Sequence, residues 1–135
     1  MCFHSQTKRF KIAKKNIKCY KMLIIPKNYF IGINECLLTP VTNTDVSKDI
    51  WTGKSPFVAC GKLKAEKNLG KTGGYIITKG VIHTFKFMDD AAKYVGKDSV
   101  LFECVIPKGE KYIEGSDGWF FGYISKSIKF VKKIN

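Results

Sequence analysis

The segment IKCYKMLII, residues 17–25, begins with apolar and polar positions alternating and ends wholly apolar. That is the signature of a strand entering a core. Residues 26–28, PKN, read as a turn, and residues 29–38, YFIGINECLL, as a second strand forming a hairpin with the first. Residues 40–56 are a polar loop with two prolines and Gly53, in which VSKDIW fits one helical turn with Trp51 packed inward. Residues 57–65 make a third strand, and residues 66–74, EKNLGKTGG, a turn. Residues 75–84, YIITKGVIHT, read as a strand interrupted at Gly80.

One segment carries a helical period. In residues 87–95, FMDDAAKYV, the residues Phe87, Ala91 and Val95 recur at four-residue steps on one face. Asp89 and Asp90 suit its first turns, and Gly96 is placed to stop it. Residues 99–107, SVLFECVIP, form the best strand of the chain. PKGE turns, KYIEG is short and extended, and SDG turns again. Residues 119–125 and 127–134 are the last two strands, the latter alternating apolar with basic as SIKFVKKI. The spacing is that of hairpins rather than β-α-β units. It predicts an α+β fold, mainly an antiparallel sheet of about seven or eight strands with one short helix near residues 87–95. Residues 1–16 read as a basic N-terminal arm and residues 17–135 as a single globular domain.

Composition agrees with one ordinary domain: 135 residues, 44% hydrophobic and 13% aromatic. No run approaches the ~18 apolar residues of a membrane span. The N-terminus, MCFHSQTKRFKIAKK, has no apolar stretch of the secretory kind, so an intracellular location is expected.

Charge changes the picture most. The formal net charge is +13, and Arg9 is the only arginine beside 23 lysines. Residues 1–27 hold Lys8, Arg9, Lys11, Lys14, Lys15, Lys18, Lys21 and Lys27 and no acid. Lys126, Lys129, Lys132 and Lys133 crowd the C-terminus. Such a field attracts polyanions, either nucleic acid or an acidic protein surface. Part of the excess follows from bias toward residues with A/T-rich codons. Phe, Tyr, Met, Ile, Asn and Lys number 63, against 22 for Gly, Ala, Arg and Pro. Lysine without arginine points to contact with a phosphate backbone rather than to base reading, because lysine is a point charge without the guanidinium fork. The partner-binding residues expected are Lys8, Arg9, Lys11, Lys14, Lys15, Lys18, Lys21, Lys126, Lys129, Lys132 and Lys133.

Catalytic and metal motifs are thin. Cys2, Cys19, Cys36, Cys60 and Cys104 are widely spaced, and His4 and His83 lie far apart, so zinc-site spacing is absent. Cys19, Cys36, Cys60 and Cys104 sit among apolar residues and read as buried, reduced thiols. A Cys–His nucleophile pair would need His83 and Cys104 to face one another on neighbouring strands. Gly70-Lys71-Thr72 and Gly53-Lys54-Ser55 imitate a phosphate loop, but Ala65 and Lys48 stand where the pattern needs glycine. Asp89 and Asp90 belong to the helix start, and Glu110, Glu114 and Asp117 to turns. No cofactor, metal or catalytic residue is expected. Trp119, Phe120, Phe121 and Tyr123 among glycines fit either a core cluster or a stacking platform for single strands.

Three segments together resemble a known family: KIAKKNIKCYKML after a short Cys-containing leader, TKGVIHTFKFMDDAAKYV, and VLFECVIPKGEKYIEGSDG followed by YISKSIKFVKKI. They look like a family of small uncharacterised proteins from phages, large DNA viruses and Bacteroides-like bacteria, over residues 1–25 and 73–135. The resemblance implies a viral or mobile-element origin and no particular activity. A fainter similarity is to the C-terminal half of ADP-ribosyltransferase folds. Those enzymes use an Arg or His on an early strand and a late Glu. Here the early strand offers Cys19, Tyr20 and Lys21, and Ser125 and Lys126 stand before SIKF, so the similarity implies at most an inactive relative. The reading is a non-enzymatic viral or phage interaction protein, a virion component or host-factor binder, whose basic surface contacts an acidic partner. The alternatives are an ADP-ribosyltransferase-like enzyme or inactive relative and a sequence-nonspecific nucleic-acid binder, and the expected location is the cytoplasm of a host cell, or a virion.

Overall fold

The computed structural model describes residues 3–5, 9–25, 57–58, 64–67, 75–78, 82–116 and 119–134. The strands are β1 Phe3–Ser5, β2 Lys11–Ile12, β3 Ile17–Ile24, β4 Phe57–Val58, β5 Lys64–Lys67, β6 Tyr75–Thr78, β7 Ile82–Phe85, β8 Ser99–Ile106, β9 Lys111–Ser116, β10 Phe121–Ser125 and β11 Ser127–Lys133. The single described helix, α1, is Met88–Ala92. The strand order is β4-β11-β8-β3-β7-β10-β9-β1-β6-β5, with β2 joined to β9. Every described pairing is antiparallel and the path is open, so the molecule is α+β with a mostly antiparallel sheet.

β8 is the axis of this sheet. It pairs with β3 over the whole of both strands, from Ile17 against Ile106 to Ile24 against Ser99. On its other side it pairs with β11, where the register shifts between Phe130 and Lys132. Its run Val100, Leu101 and Phe102 is buried on consecutive residues, as a strand covered on both faces requires. Alternation then sorts the neighbours. Cys19, Leu23, Phe102, Cys104, Ile106 and Ile128 share an interior face with Ile82 and Tyr123. Lys18, Tyr20, Glu103, Val105 and Lys129 fall on the opposite face. Each fully buried Leu or Ile on the interior contributes about 1.5–3 kcal/mol relative to exposure.

Several expectations are corrected. Phe57–Val58 and Lys64–Ala65, expected in one strand, belong to two: β4 pairs with β11 and β5 with β6, at opposite ends of the sheet order. Glu66 and Lys67, expected in a turn, belong to β5. Residues 75–84 divide into β6 and β7, which serve different partners: β6 joins β1 and β5, while β7 joins β10 and β3. The stretch read as a basic arm supplies β1 and β2 to the sheet. The expected strand over 29–38, its hairpin, and the helical turn near Trp51 lie outside the described residues.

The helix is shorter than its pattern. Phe87 is its N-cap with no side-chain capping bond, and Lys93 is its C-cap. Gly96 falls beyond the end and donates its N–H to Ser99 Oγ at 2.7 Å. Only Ala91 of the expected apolar stripe is buried, against β3 and β7, whereas Phe87 stays 49% exposed. A five-residue helix cannot repay its own nucleation, so packing of Ala91 holds it in place.

Candidate interaction surface

Two turns distant in sequence meet at one end of the sheet. Residues Pro107, Lys108, Gly109 and Glu110 link β8 to β9, and Gly109 takes φ 90°, a conformation natural to glycine. The segment after β2 is fastened to this turn. Gly109 N–H donates to the Ala13 carbonyl at 2.8 Å, Ala13 N–H to the Glu110 carbonyl at 2.9 Å, and Lys108 N–H to Asn16 Oδ1 at 3.0 Å. Lys11 and Ile12 pair with Tyr112 and Lys111 at the start of β9. The β10–β11 corner joins them, because Ser127 Oγ donates to Glu110 Oε2 at 2.5 Å.

Lys11, Lys14, Lys15, Lys108 and Lys111 are all exposed around this end, with Lys126 half-buried at the β10–β11 corner. The acid described among them is Glu110. Its carboxylate accepts from Ser127 Oγ and from the Lys111 backbone N–H. The surface continues along the outer face. Val105 of β8 lies between Lys18 and Lys129, and Glu103 between Tyr20 and Lys132. Lys18 and Lys129 are therefore two strand spacings apart, about 10 Å. Lys18 Nζ stands 3.7 Å from Glu103 Oε1, a loose surface pair of little energetic weight.

Not every expected residue belongs here. Lys8 lies outside the described residues, and Arg9 is exposed just before β2. Lys133 pairs with Phe102 and so falls on the other face of β11 from Lys129 and Lys132. Lys21 departs most. It alternates onto the interior face between Cys19 and Leu23 and donates through Nζ to the His83 carbonyl at 2.8 Å. The residue is half-buried. Desolvation, which the neighbouring Cys104 and Cys19 oppose, lowers its pKa to about 8. Lys108 and Lys111 were missed as contributors; their turn signal was legible, but their neighbours in space were not.

The cysteine–histidine pairing is excluded by geometry. His83 is exposed, while Cys104 is fully buried on the interior face, and β3 runs between their strands. Cys104 instead stands opposite Cys19 in register, both as free thiols. Burial pushes the Cys19 thiol up to about 12, against a hydrogen bond from Thr84, and raises Cys104 well above the ordinary range. These are inert thiols. Among the described residues no group of three His, Cys, Asp or Glu could hold a metal ion. No described helix is long and apolar enough to cross a membrane. Both glycine-lysine motifs lie outside the described residues, as does Asp117. Asp89 and Asp90 do open the helix. Glu114 lies within β9 rather than in a turn, and its carboxylate pairs with Lys86 Nζ.

At the far end of the sheet the character changes. Phe85, Tyr94 and Phe120 form an aromatic trio, with ring centroids 4.2 Å apart for Phe85–Phe120 and 5.6 Å for each of the other two pairs. Phe120 turns inward, so its neighbours turn outward: Trp119 is 86% exposed and Phe121 57%. Tyr123, also expected in this cluster, is buried. Lys86 N–H donates to the Phe121 carbonyl at 3.1 Å, which brings exposed Phe87 to the same corner. No family model, no curated protein and no solved structure matches this chain.

Proposed function

We propose that this protein is a non-enzymatic interaction module that holds a polyanionic partner on its lysine surface. One observation carries the reading: lysines from β2, the segment after it, the β8–β9 turn and the β10–β11 corner share one end of the sheet with one described acid. Like charges gathered in this way repel one another and disfavour the fold unless a counter-charge is supplied. A virion or host-factor setting for that partner is what the sequence resemblance alone implies.

The test is fluorescence anisotropy with a labelled mixed-sequence oligonucleotide and with labelled heparin, each at low and high salt. The expected result is micromolar binding that falls steeply with salt, by roughly 300-fold for a single strand and about 10³-fold for a duplex between roughly 50 and 200 mM if six lysines each neutralise a phosphate. Absence of binding to both polyanions at low salt would overturn the proposal.

A further inference from the structure

The lysine surface selects for negative charge and says nothing about what joins the charges together. The opposite end of the sheet supplies that. Trp119, Phe121, Phe87 and Tyr94 are all 43% exposed or more, and they come from β10 and its preceding residues, the helix N-cap and the segment after the helix. They are flat rings rather than aliphatic side chains. Phe120 and Phe85 pack edge or face against Tyr94 and so fix the corner from beneath. Lys86 Nζ lies 5.6 Å from the centre of the Phe87 ring, within cation–π range.

Charge at this corner is close to balanced. Lys86 is paired with Glu114, and Lys93 Nζ lies 3.7 Å from Asp90 Oδ1. The corner thus offers stacking surface, while the other end offers charge. β9 and β10 run between the two ends: β9 starts at Lys111 in the lysine cluster and finishes at Ser116, opposite Phe121. Five strand steps separate Lys111 from Ser116, about 17 Å, which a few nucleotides span.

We infer that the polyanion is a single-stranded nucleic acid, its phosphates on the lysine surface and its bases stacked on Trp119, Phe121 and Phe87. This rests on the proposed function and narrows it. An acidic protein carries repeated anions but no matching series of flat faces. A sulfated glycan carries anions and no aromatic rings. A duplex has both, but its base faces are already stacked. Only an unpaired strand presents phosphates and free ring faces together, and lysine-plus-aromatic binding of this kind tolerates any sequence.

The test compares a labelled oligothymidylate, the same length as duplex, labelled heparin and labelled polyglutamate on the wild type and on Trp119→Ala, Phe121→Ala and the double variant. Both side chains are exposed, so thermal melts should match the wild type. The expected result is tighter binding of the single strand than of the duplex, with each variant weakening single-strand binding about tenfold. Heparin binding and the salt slope should not move. Equal affinity for single strand and duplex, or unchanged single-strand binding in the double variant, would overturn the inference while heparin binding leaves the polyanion reading standing. Polyglutamate bound in preference to the oligonucleotide would overturn it in favour of an acidic protein. Failure to bind any of the four would remove the polyanion reading itself.

Discussion

Lys21 Nζ donates to the backbone carbonyl of His83 at 2.8 Å, across the place where β3 and β7 part company. Those two strands share one residue pair, Tyr20 against Phe85. Beyond it the carbonyl of His83 gains a side-chain donor from the neighbouring strand. The arrangement satisfies a backbone acceptor but requires an amine inside a sheet face otherwise made of Cys19, Leu23, Phe102 and Cys104.

The pH dependence of stability follows from that amine. The folded state lowers the Lys21 pKa from 10.5 to about 8, so the folded protein binds fewer protons than the unfolded chain between those values. Stability contributed by Lys21 is therefore reduced below about pH 8 and recovers as pH rises through that value. Cys19 and Cys104 act in the opposite sense above 9.0, where the unfolded thiols ionise and the buried ones do not, and two thiols outweigh the single amine. The urea midpoint should rise between about pH 8 and pH 9 and then turn down. Lys21→Met should abolish the rise. A wild-type midpoint that falls steadily across that window would contradict the assignment.

Cys19 and Cys104 should resist thiol reagents in the native state, because only the thiolate reacts and burial suppresses it. In a variant with Cys2, Cys36 and Cys60 changed to Ser, Ellman's reagent should find no thiol under native conditions and both in denaturant. Prompt native reaction would show that the β3–β8 face opens readily.

Core truncation should separate interior from surface. Leu23 is fully buried, so Leu23→Ala should cost about 2–5 kcal/mol. Val131 sits exposed where the β11 register shifts, and Val131→Ala should fall within about 0.5 kcal/mol of the wild type. Chemical denaturation of both variants reads the difference directly.

The Lys86–Glu114 pair looks strong in geometry, and the hydrogen bond to Glu114 raises the Lys86 pKa. Both side chains are nevertheless more than a third exposed, and solvent screens such pairs. Glu114→Gln should cost under about 1 kcal/mol, with the loss shrinking further at high salt. A loss above about 2 kcal/mol would show that the pair is shielded from water.

Changing Lys11, Lys14, Lys15, Lys108 and Lys111 to Gln should flatten the salt dependence of oligonucleotide binding, by roughly one unit of slope per contact removed. Lys21→Met should leave that slope unchanged, since its ammonium is held by the His83 carbonyl on the opposite sheet face from Lys18 and Lys129. The slope of log Kd against log salt for the two variants distinguishes them.

Local period determined much of this molecule. The alternation around Cys19 and the apolar run around Phe102 specify β3 and β8, because side-chain direction in a strand depends on adjacent residues alone. The turn at Gly109 and the acidic start of the helix are local in the same way. What the sequence left open depended on partners. Residues 75–84 carry a strand-like pattern broken by one glycine, and only the different neighbours of β6 and β7 show that Tyr75–Thr78 and Ile82–Phe85 are separate strands. Strand period alone puts Lys21 on the face of Cys19 and Leu23, and only the sheet supplies the His83 carbonyl of β7 that its ammonium reaches. Trp119, Phe120 and Phe121 are consecutive rings of similar hydrophobicity. Which of them faces water was decided when Phe120 packed against Phe85 and Tyr94. Lys14 and Lys108 are far apart along the chain, and they share one surface because backbone bonds between Ala13, Gly109 and Glu110 close the distance. Charge is a property of composition, but a charged surface is a property of pairing.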